Sequence, residues 1–259
     1  MKFILCGCGQ WGKNYLNTIN KMGNCSIEAI VTRNFINYNK PHYKDLNEAL
    51  KLECNAIIIA THPDSHFEFA KLALENGKHV ICEKPCMFSD KEFEIIEKLT
   101  SKNNLVFFTN YINIFQPVCE DIKNNLIGRN QLKICNVGNG PIRENYSALW
   151  DYGCHIISLS TYLFGHYRGI TNIKMNDIGN YEILLDNDYG STFAEFGNKS
   201  SNRIYNIEFQ GEKKIIWNDN KQSQPLKIML EKFINKKLIT NIDMSIKISN
   251  ILKECENKL

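Results

Sequence analysis

The sequence predicts an α/β fold: an N-terminal doubly wound parallel sheet, followed by an α+β unit with a mostly antiparallel sheet. Three observations carry this expectation. Short apolar runs alternate with helical patterns from residue 1 to about residue 115. The first run opens directly into a Gly-x-Gly-x-x-Gly turn. Beyond residue 165 the helices give way to apolar runs joined by short polar turns, the pattern of an antiparallel or mixed sheet. The boundary is expected near residue 116, giving units of 1–116 and 117–259.

Taken in order, Lys2-Phe3-Ile4-Leu5 is a short strand, and Gly7-Cys8-Gly9-Gln10-Trp11-Gly12 follows at once, before a helix from about Lys13 to Lys21. Strand, glycine turn and helix in this order form the dinucleotide-binding, or Rossmann, fingerprint. Gly7 permits the tight turn. Gly9 lets a pyrophosphate approach the backbone at the helix N-terminus, and Gly12 lets the helix pack close to the strand. Ile27 to Val31 is the second strand. An acidic residue for the ribose hydroxyls is expected twenty residues after Gly12; the sequence has Thr32, then Arg33 and Asn34. No carboxylate repels a 2′-phosphate there and Arg33 can pair with one, which leans toward NADP over NAD. The plainer alternative makes Arg33 a solvated loop residue.

A connector and a helix near Leu46 to Leu52 lead to the buried strand Ala56–Ile59. Its end runs into the polar loop Ala60-Thr61-His62-Pro63. Pro63-Asp64-Ser65 starts a helix that carries His66 to Asn76, with Phe69, Leu72 and Ala73 on one face and Gly77 as its stop. His79 to Cys82 is the next strand, and it delivers Glu83-Lys84-Pro85 at its carboxyl end, where open parallel sheets bind ligands. A lysine there is not core filling, because lysine is almost never fully buried without a partner. Ser89-Asp90 caps a helix through Phe93 to Ser101. Leu105 to Phe108 is a further strand, ending at Thr109-Asn110-Tyr111.

In the second half, Pro117 to Leu126 reads as a helix closed by Gly128, and Gln131 to Val137 as a strand. Strands then follow at 170–175, 181–185, 191–196, 203–210 and 214–217. Asp186 to Gly190 and Gly211-Glu212-Lys213 supply turn chemistry. Two helices end the chain, near Leu226–Asn235 and Met244–Glu256. Between the strand at 131–137 and the later ones, Ala148 opens a helix of about four turns that ends at Gly165. It carries Asp151 and His155 four residues apart, on one face. An acid and an imidazole so placed can bind a sugar hydroxyl and move its proton. A helix-capping aspartate and a core histidine satisfied by backbone fit the same spacing.

Composition bounds the partners. Hydrophobic residues make up 43% and charged residues 23% of the 259, as in a soluble globular protein. A net charge of +3 is too small to argue for nucleic acid. The ten cysteines are scattered, with no Cys-x-x-Cys, and read as free thiols of a reducing, cytoplasmic compartment, with neither a disulfide framework nor a metal site. A strand follows Met1-Lys2 directly, so neither a signal peptide nor a membrane anchor is expected. There is no internal repeat.

Together GCGQWG at 7–12, ATHPDSH at 60–66, EKP at 83–85 and DYGCH at 151–155 resemble the glucose–fructose oxidoreductase/inositol dehydrogenase (Gfo/Idh/MocA) family. The resemblance implies a two-domain oxidoreductase, with NAD(P) bound in the cleft between domains. It implies cofactor contacts from Gly7, Gly9, Gln10, Trp11, Gly12, Thr32, Arg33, Asn34, Ala60, Thr61, His62, Pro63, His66, Glu83 and Lys84. Glu83 is expected at the nicotinamide ribose. Lys84 resembles the family's catalytic and substrate-binding lysine, and Asp151 and His155 its substrate-binding and acid/base pair. Asn110 and Tyr111 are further substrate candidates. The implied substrate is a sugar, nucleotide sugar or cyclitol. The alternatives are a reductase of a non-sugar compound, as in biliverdin reductases, and a non-catalytic NADP(H)-binding sensor. The outer face of the second sheet is expected to form a homo-oligomer, a dimer or tetramer. The chain departs from the family at Ile114, where an arginine is usual, in the short segment 138–149, and in its overall length.

Overall fold

A computed structural model describes residues 1–34, 38–140, 146–210, 213–216 and 224–259. Residues 35–37 of the first connector, 141–145 of the short segment, Gly211 and Glu212 of the last expected turn, and Trp217 of the last expected strand lie outside the described residues. The chain divides into two compact units. One is Met1–Asn110 with Leu226–Ile246, the other Tyr111–Pro225 with Lys247–Leu259. The sequence reading runs its second unit unbroken from 117 to 259, whereas the contacts place 226–246 with the first.

The first unit is built on six strands: β1 (Lys2–Cys6), β2 (Ser26–Val31), β3 (His42–Tyr43), β4 (Ala56–Ile59), β5 (His79–Glu83) and β6 (Phe107–Asn110). They lie in the order β3-β2-β1-β4-β5-β6 and all pair in parallel. Strand β4 is buried along its whole length, and β1 and β5 at every residue after the first, because helices cover both faces of such a sheet. Each fully buried isoleucine of β4 contributes roughly 1.5–3 kcal/mol. The covering helices are α1 (Gln10–Ile19), α2 (Leu46–Ala49), α3 (His66–Glu75) and α4 (Asp90–Asn103).

Several boundaries differ from the sequence reading. Helix α1 begins within the glycine turn, with Gly9 as its N-cap. Helix α3 is entered through a 3-10 turn at Pro63–Ser65, and Gly77 follows it at φ 71°. The fully buried residues of α3 are His66, Ala70, Ala73 and Leu74, while Phe69 and Leu72 are half-buried, so the buried stripe is rotated from the expected one. Helix α4 carries the expected cap at Ser89, closed into a capping box by Glu92. Strand β6 sits two residues later than expected, because Phe107–Asn110 is the stretch in register with Val80–Glu83.

Strand β6 lies at the edge of the sheet, where its backbone would be open to pairing. Residues 240–241 cover it. Thr240 Oγ1 accepts from Phe107 N–H at 3.1 Å, and the side-chain amide of Asn241 accepts from Thr109 N–H at 2.7 Å and donates to Thr109 O at 2.9 Å. Ser245 Oγ adds a bond to Thr109 Oγ1 at 2.9 Å. A side-chain amide thus imitates a peptide of a seventh strand.

The second unit holds α5 (Pro117–Asn124), β7 (Asn130–Val137), α6 (Ala148–Phe164), β8 (Tyr167–Met175), β9 (Tyr181–Asn187), β10 (Gly190–Gly197), β11 (Ile204–Phe209) and β12 (Lys213–Ile216). Its sheet runs β12-β11-β7-β10-β9-β8 and is antiparallel except for the β7–β10 pair, a mixed sheet as expected. Helix α6 packs on β10, β9 and β7. The sheet turns Leu132, Ile134, Ile183, Leu185, Ala194 and Phe196 inward by strict alternation. A Cβ on Gly153 of α6 would stand 3.5 Å from the Phe196 ring. The remaining helices are α7 (Pro225–Ile234) and α8 (Ile242–Lys258). Among the described residues no helix is long and apolar enough to cross a membrane.

Candidate functional site

In the first unit the strand order reverses between β1 and β4, the position at which doubly wound sheets bind ligands beyond their carboxyl ends. Because all six strands are parallel, the loops after β1, β2, β4, β5 and β6 emerge at this one end. Gly7 sits at φ 86°, and a Cβ there would stand 2.5 Å from Ala60 O. Its N–H donates to Val31 O at 2.8 Å, which seats the turn on β2. A Cβ on Gly12 would strike the Gly7 carbonyl, so this glycine sets how closely α1 approaches the turn. Gly9 is different. It is exposed, with no atom within 4 Å of where a Cβ would stand, and no side chain caps α1. Open space over an uncapped helix N-terminus fits a dinucleotide pyrophosphate. Gln10 is exposed and Trp11 half-buried beside it. After β2, Thr32 Oγ1 accepts from Asn34 N–H at 3.3 Å, leaving Arg33 and Asn34 exposed.

The loops after β4 and β5 are tied by one side chain. His66 is fully buried; Nε2 lies 3.1 Å from Thr61 O and Nδ1 3.0 Å from Pro85 O. Burial pushes its pKa down to about 4, against the raising effect of those two carbonyls. Thr61 is half-buried and His62 exposed in that loop, and Pro63 is buried. Glu83, expected at the nicotinamide ribose, is buried, and its Oε1 accepts from Tyr15 Oη at 2.7 Å and from Asn110 Nδ2 at 2.8 Å. Desolvation raises the Glu83 pKa, opposed by those two donors and by the charge of Lys84. Asn110 Nδ2 also donates to Tyr15 Oη at 2.8 Å, closing a three-residue ring. Lys84 itself is half-exposed, while every other residue from Ile81 to Met87 is buried. Tyr15 was not singled out from the sequence. The available signal was a phenol on the buried stripe of α1 with Gly12 and Ile19, since a buried hydroxyl needs a partner.

In the second unit, α6 is largely buried, yet Asp151, Tyr152 and His155 interrupt its first half as half-exposed positions. His155 is the single such residue between Gly153 and Ser160. The helix therefore keeps an acid and an imidazole, one turn apart, at the margin of an apolar helix. Tyr111 is buried and opens this unit; Ile114, in the arginine's place, is half-buried in a 3-10 turn at Ile112–Phe115.

A doubly wound parallel sheet with a glycine turn at its switch point, continued by a mixed sheet backed by one long helix, is the fold of two-domain NAD-binding oxidoreductases. Residues 1–111 match the oxidoreductase family with an NAD-binding Rossmann fold designated GFO_IDH_MocA. Over 187 residues it is 25% identical to a 4-carboxy-2-hydroxymuconate-6-semialdehyde dehydrogenase of Sphingobium, covering 64% of this chain and 59% of that one. Over 91 residues it is 33% identical to the scyllo-inositol 2-dehydrogenase (NADP(+)) IolU of Bacillus subtilis, covering 34% and 28%. The chain thus spans less than two thirds of the length of these curated relatives. In fold it resembles a myo-inositol 2-dehydrogenase from Lactobacillus plantarum, with a TM-score of 0.84 at 15% identity, covering 100% of this chain and 96% of that one.

Proposed function

We propose that the chain is an NAD(P)-dependent oxidoreductase acting on a secondary alcohol or ketone of a sugar, nucleotide sugar or cyclitol. The observation that carries the reading is Lys84, the one half-exposed side chain in a buried segment, at the carboxyl end of a strand in an NAD-binding Rossmann unit. The names of the two inositol dehydrogenases among the relatives support a polyol substrate.

Gly7, Gly9, Gln10, Trp11 and Gly12 would hold the pyrophosphate, Thr32, Arg33 and Asn34 the adenosine ribose, and Ala60, Thr61, His62 and Pro63 the stretch beyond β4. Arg33 with no carboxylate beside it favours NADP. The bound nicotinamide supplies or accepts the hydride. Lys84 donates a hydrogen bond to the reacting oxygen and stabilises the negative charge that develops on it. His155 takes the hydroxyl proton in oxidation and returns it in reduction. Asp151 orients the imidazole or a neighbouring hydroxyl. Ten free thiols suit a reducing compartment, which supports a cytoplasmic location. The face of the second sheet away from α6 presents Phe193, Leu184 and Ile204 among Lys133, Glu195 and Glu208, a mixed surface suited to pairing with a second copy.

The test is a fluorescence titration with NADH and NADPH, followed by turnover of myo-inositol, scyllo-inositol and a panel of nucleotide sugars. Lys84→Ala is expected to abolish turnover while leaving cofactor affinity within about threefold. Normal turnover in this variant would refute the role given to Lys84. Tight NADPH binding with no turnover of any substrate would favour the sensor.

A further inference from the structure

We infer that His66 is a positioning residue for Lys84, holding the carbonyl of Pro85 through an Nδ1–H so that the turn carrying the lysine is fixed on the end of β5. The inference rests on the reading of Lys84 as the group that holds the reacting oxygen.

The argument starts from proton count. Both ring nitrogens face carbonyl oxygens, Nδ1 that of Pro85 at 3.0 Å and Nε2 that of Thr61 at 3.1 Å. A neutral imidazole has one N–H and can satisfy one of them. Burial keeps the ring neutral near pH 7, its pKa being pushed down to about 4, with His62 lowering it and Asp64 raising it by smaller amounts. The two carbonyls are not equivalent. Pro85 is buried, whereas Thr61 is half-buried and within reach of water. Leaving a buried acceptor without a donor costs more than leaving one that water can reach. The proton therefore belongs on Nδ1. Pro85 is bonded directly to Lys84 and is flanked by the buried Cys86, and Glu83 on the other side is pinned by Tyr15 and Asn110. The backbone on both sides of Lys84 is thus anchored by side chains from α1, α3 and β6, while the lysine itself stays half-exposed.

Two measurements test this. The first needs no substrate: nitrogen-15 resonances of histidine-labelled protein should show His66 as the Nδ1–H tautomer at neutral pH, unchanged on mild acidification. An Nε2–H tautomer, or titration at the midpoint of an ordinary histidine, would overturn the inference. The second uses geometry. The amide nitrogen of asparagine stands as many bonds from Cα as histidine Nδ1, and that of glutamine as many as Nε2. His66→Asn should therefore keep kcat on inositol or the panel substrate within about threefold. His66→Gln should lower kcat by about tenfold or more, with KM and NADH affinity nearly unchanged. Equal kcat in the two variants would overturn the inference. Normal turnover in Lys84→Ala would overturn the reading beneath it, visibly apart from the tautomer result.

Discussion

Tyr15 Oη donates to Glu83 Oε1 across 2.7 Å, and both side chains are buried. The pair joins the helix that follows the glycine turn to the strand that ends at Glu83, beside Lys84, so it ties the two halves of the Rossmann unit through side chains. Tyr15→Phe leaves the carboxylate with Asn110 as its remaining side-chain donor and should cost about 1–3 kcal/mol. The pH dependence has a definite sign. The Glu83 pKa is raised above 4.5 by burial, so the folded state keeps its proton to higher pH than the unfolded chain does. Stability from that proton is fully present below pH 4.5 and is lost as pH rises through the folded value. Removing the Tyr15 donor raises the folded value further. Denaturation of Tyr15→Phe should therefore show a larger loss at about pH 7.5 than at about pH 4.5, and an equal loss at both would contradict the account.

The glycines of the turn separate folding from binding. Gly7→Ala forces a side chain into a left-handed backbone and against Ala60 O, and should destabilise the fold by about 2 kcal/mol or more. Gly9→Ala meets no protein atom within 4 Å and has an ordinary extended backbone, so stability should stay within about 1 kcal/mol. Its effect should fall on the ligand, raising the NADH Kd by about tenfold. Thermal melts and fluorescence titration on the two variants check this, and a stability loss in Gly9→Ala matching that of Gly7→Ala would argue against the division.

Most of the first unit was legible in the sequence, because its strands are continuous apolar runs and its loops carry Gly, Pro or a capping serine. Gly77 and the Ser89–Glu92 box are local signals, and they mark the ends of α3 and α4 as the structure has them. Less legible was whatever depends on long-range contact. The two-residue β3 has no pattern of its own; it pairs with β2 at His42 and Tyr43. Tyr15 meets Glu83 across 68 residues of sequence, and Asn241 meets Thr109 across 132. The same limit applies to Glu83 and His66. Their motif positions suggest cofactor contacts, while their protein partners come from distant parts of the chain and have no local signal. In the structure both side chains are taken up by protein groups.

Arg33 is exposed after β2, with the turn held by Thr32. If it pairs with a 2′-phosphate, Arg33→Ala should weaken NADPH binding by about tenfold while leaving NADH within about twofold, since a charge-assisted bond is worth about 1.5–3 kcal/mol. The measurement is the ratio of the two Kd values; a ratio unchanged by the substitution would leave Arg33 as a solvated residue.

Asn241 offers a test of the edge cover that turns on the difference between an amide and a carboxyl. The amide both accepts from Thr109 N–H and donates to Thr109 O, and Thr109 is fully buried. Asn241→Ala removes both bonds and should cost about 2–4 kcal/mol, with increased aggregation because the edge of β6 is opened. Asn241→Asp keeps the acceptor for the N–H but sets an ionised oxygen against the carbonyl of Thr109. That contact favours the protonated acid, whose hydroxyl can donate as the amide did, so the folded pKa of the new carboxyl is raised above its unfolded value. Its stabilising contribution is then present at low pH and lost as pH rises through the folded value. Denaturant midpoints should show Asn241→Asp close to the wild type at about pH 4 and falling toward Asn241→Ala at about pH 7.5. A variant equally stable at both, relative to the wild type, would mean that the amide's donor contributes nothing to closing the sheet.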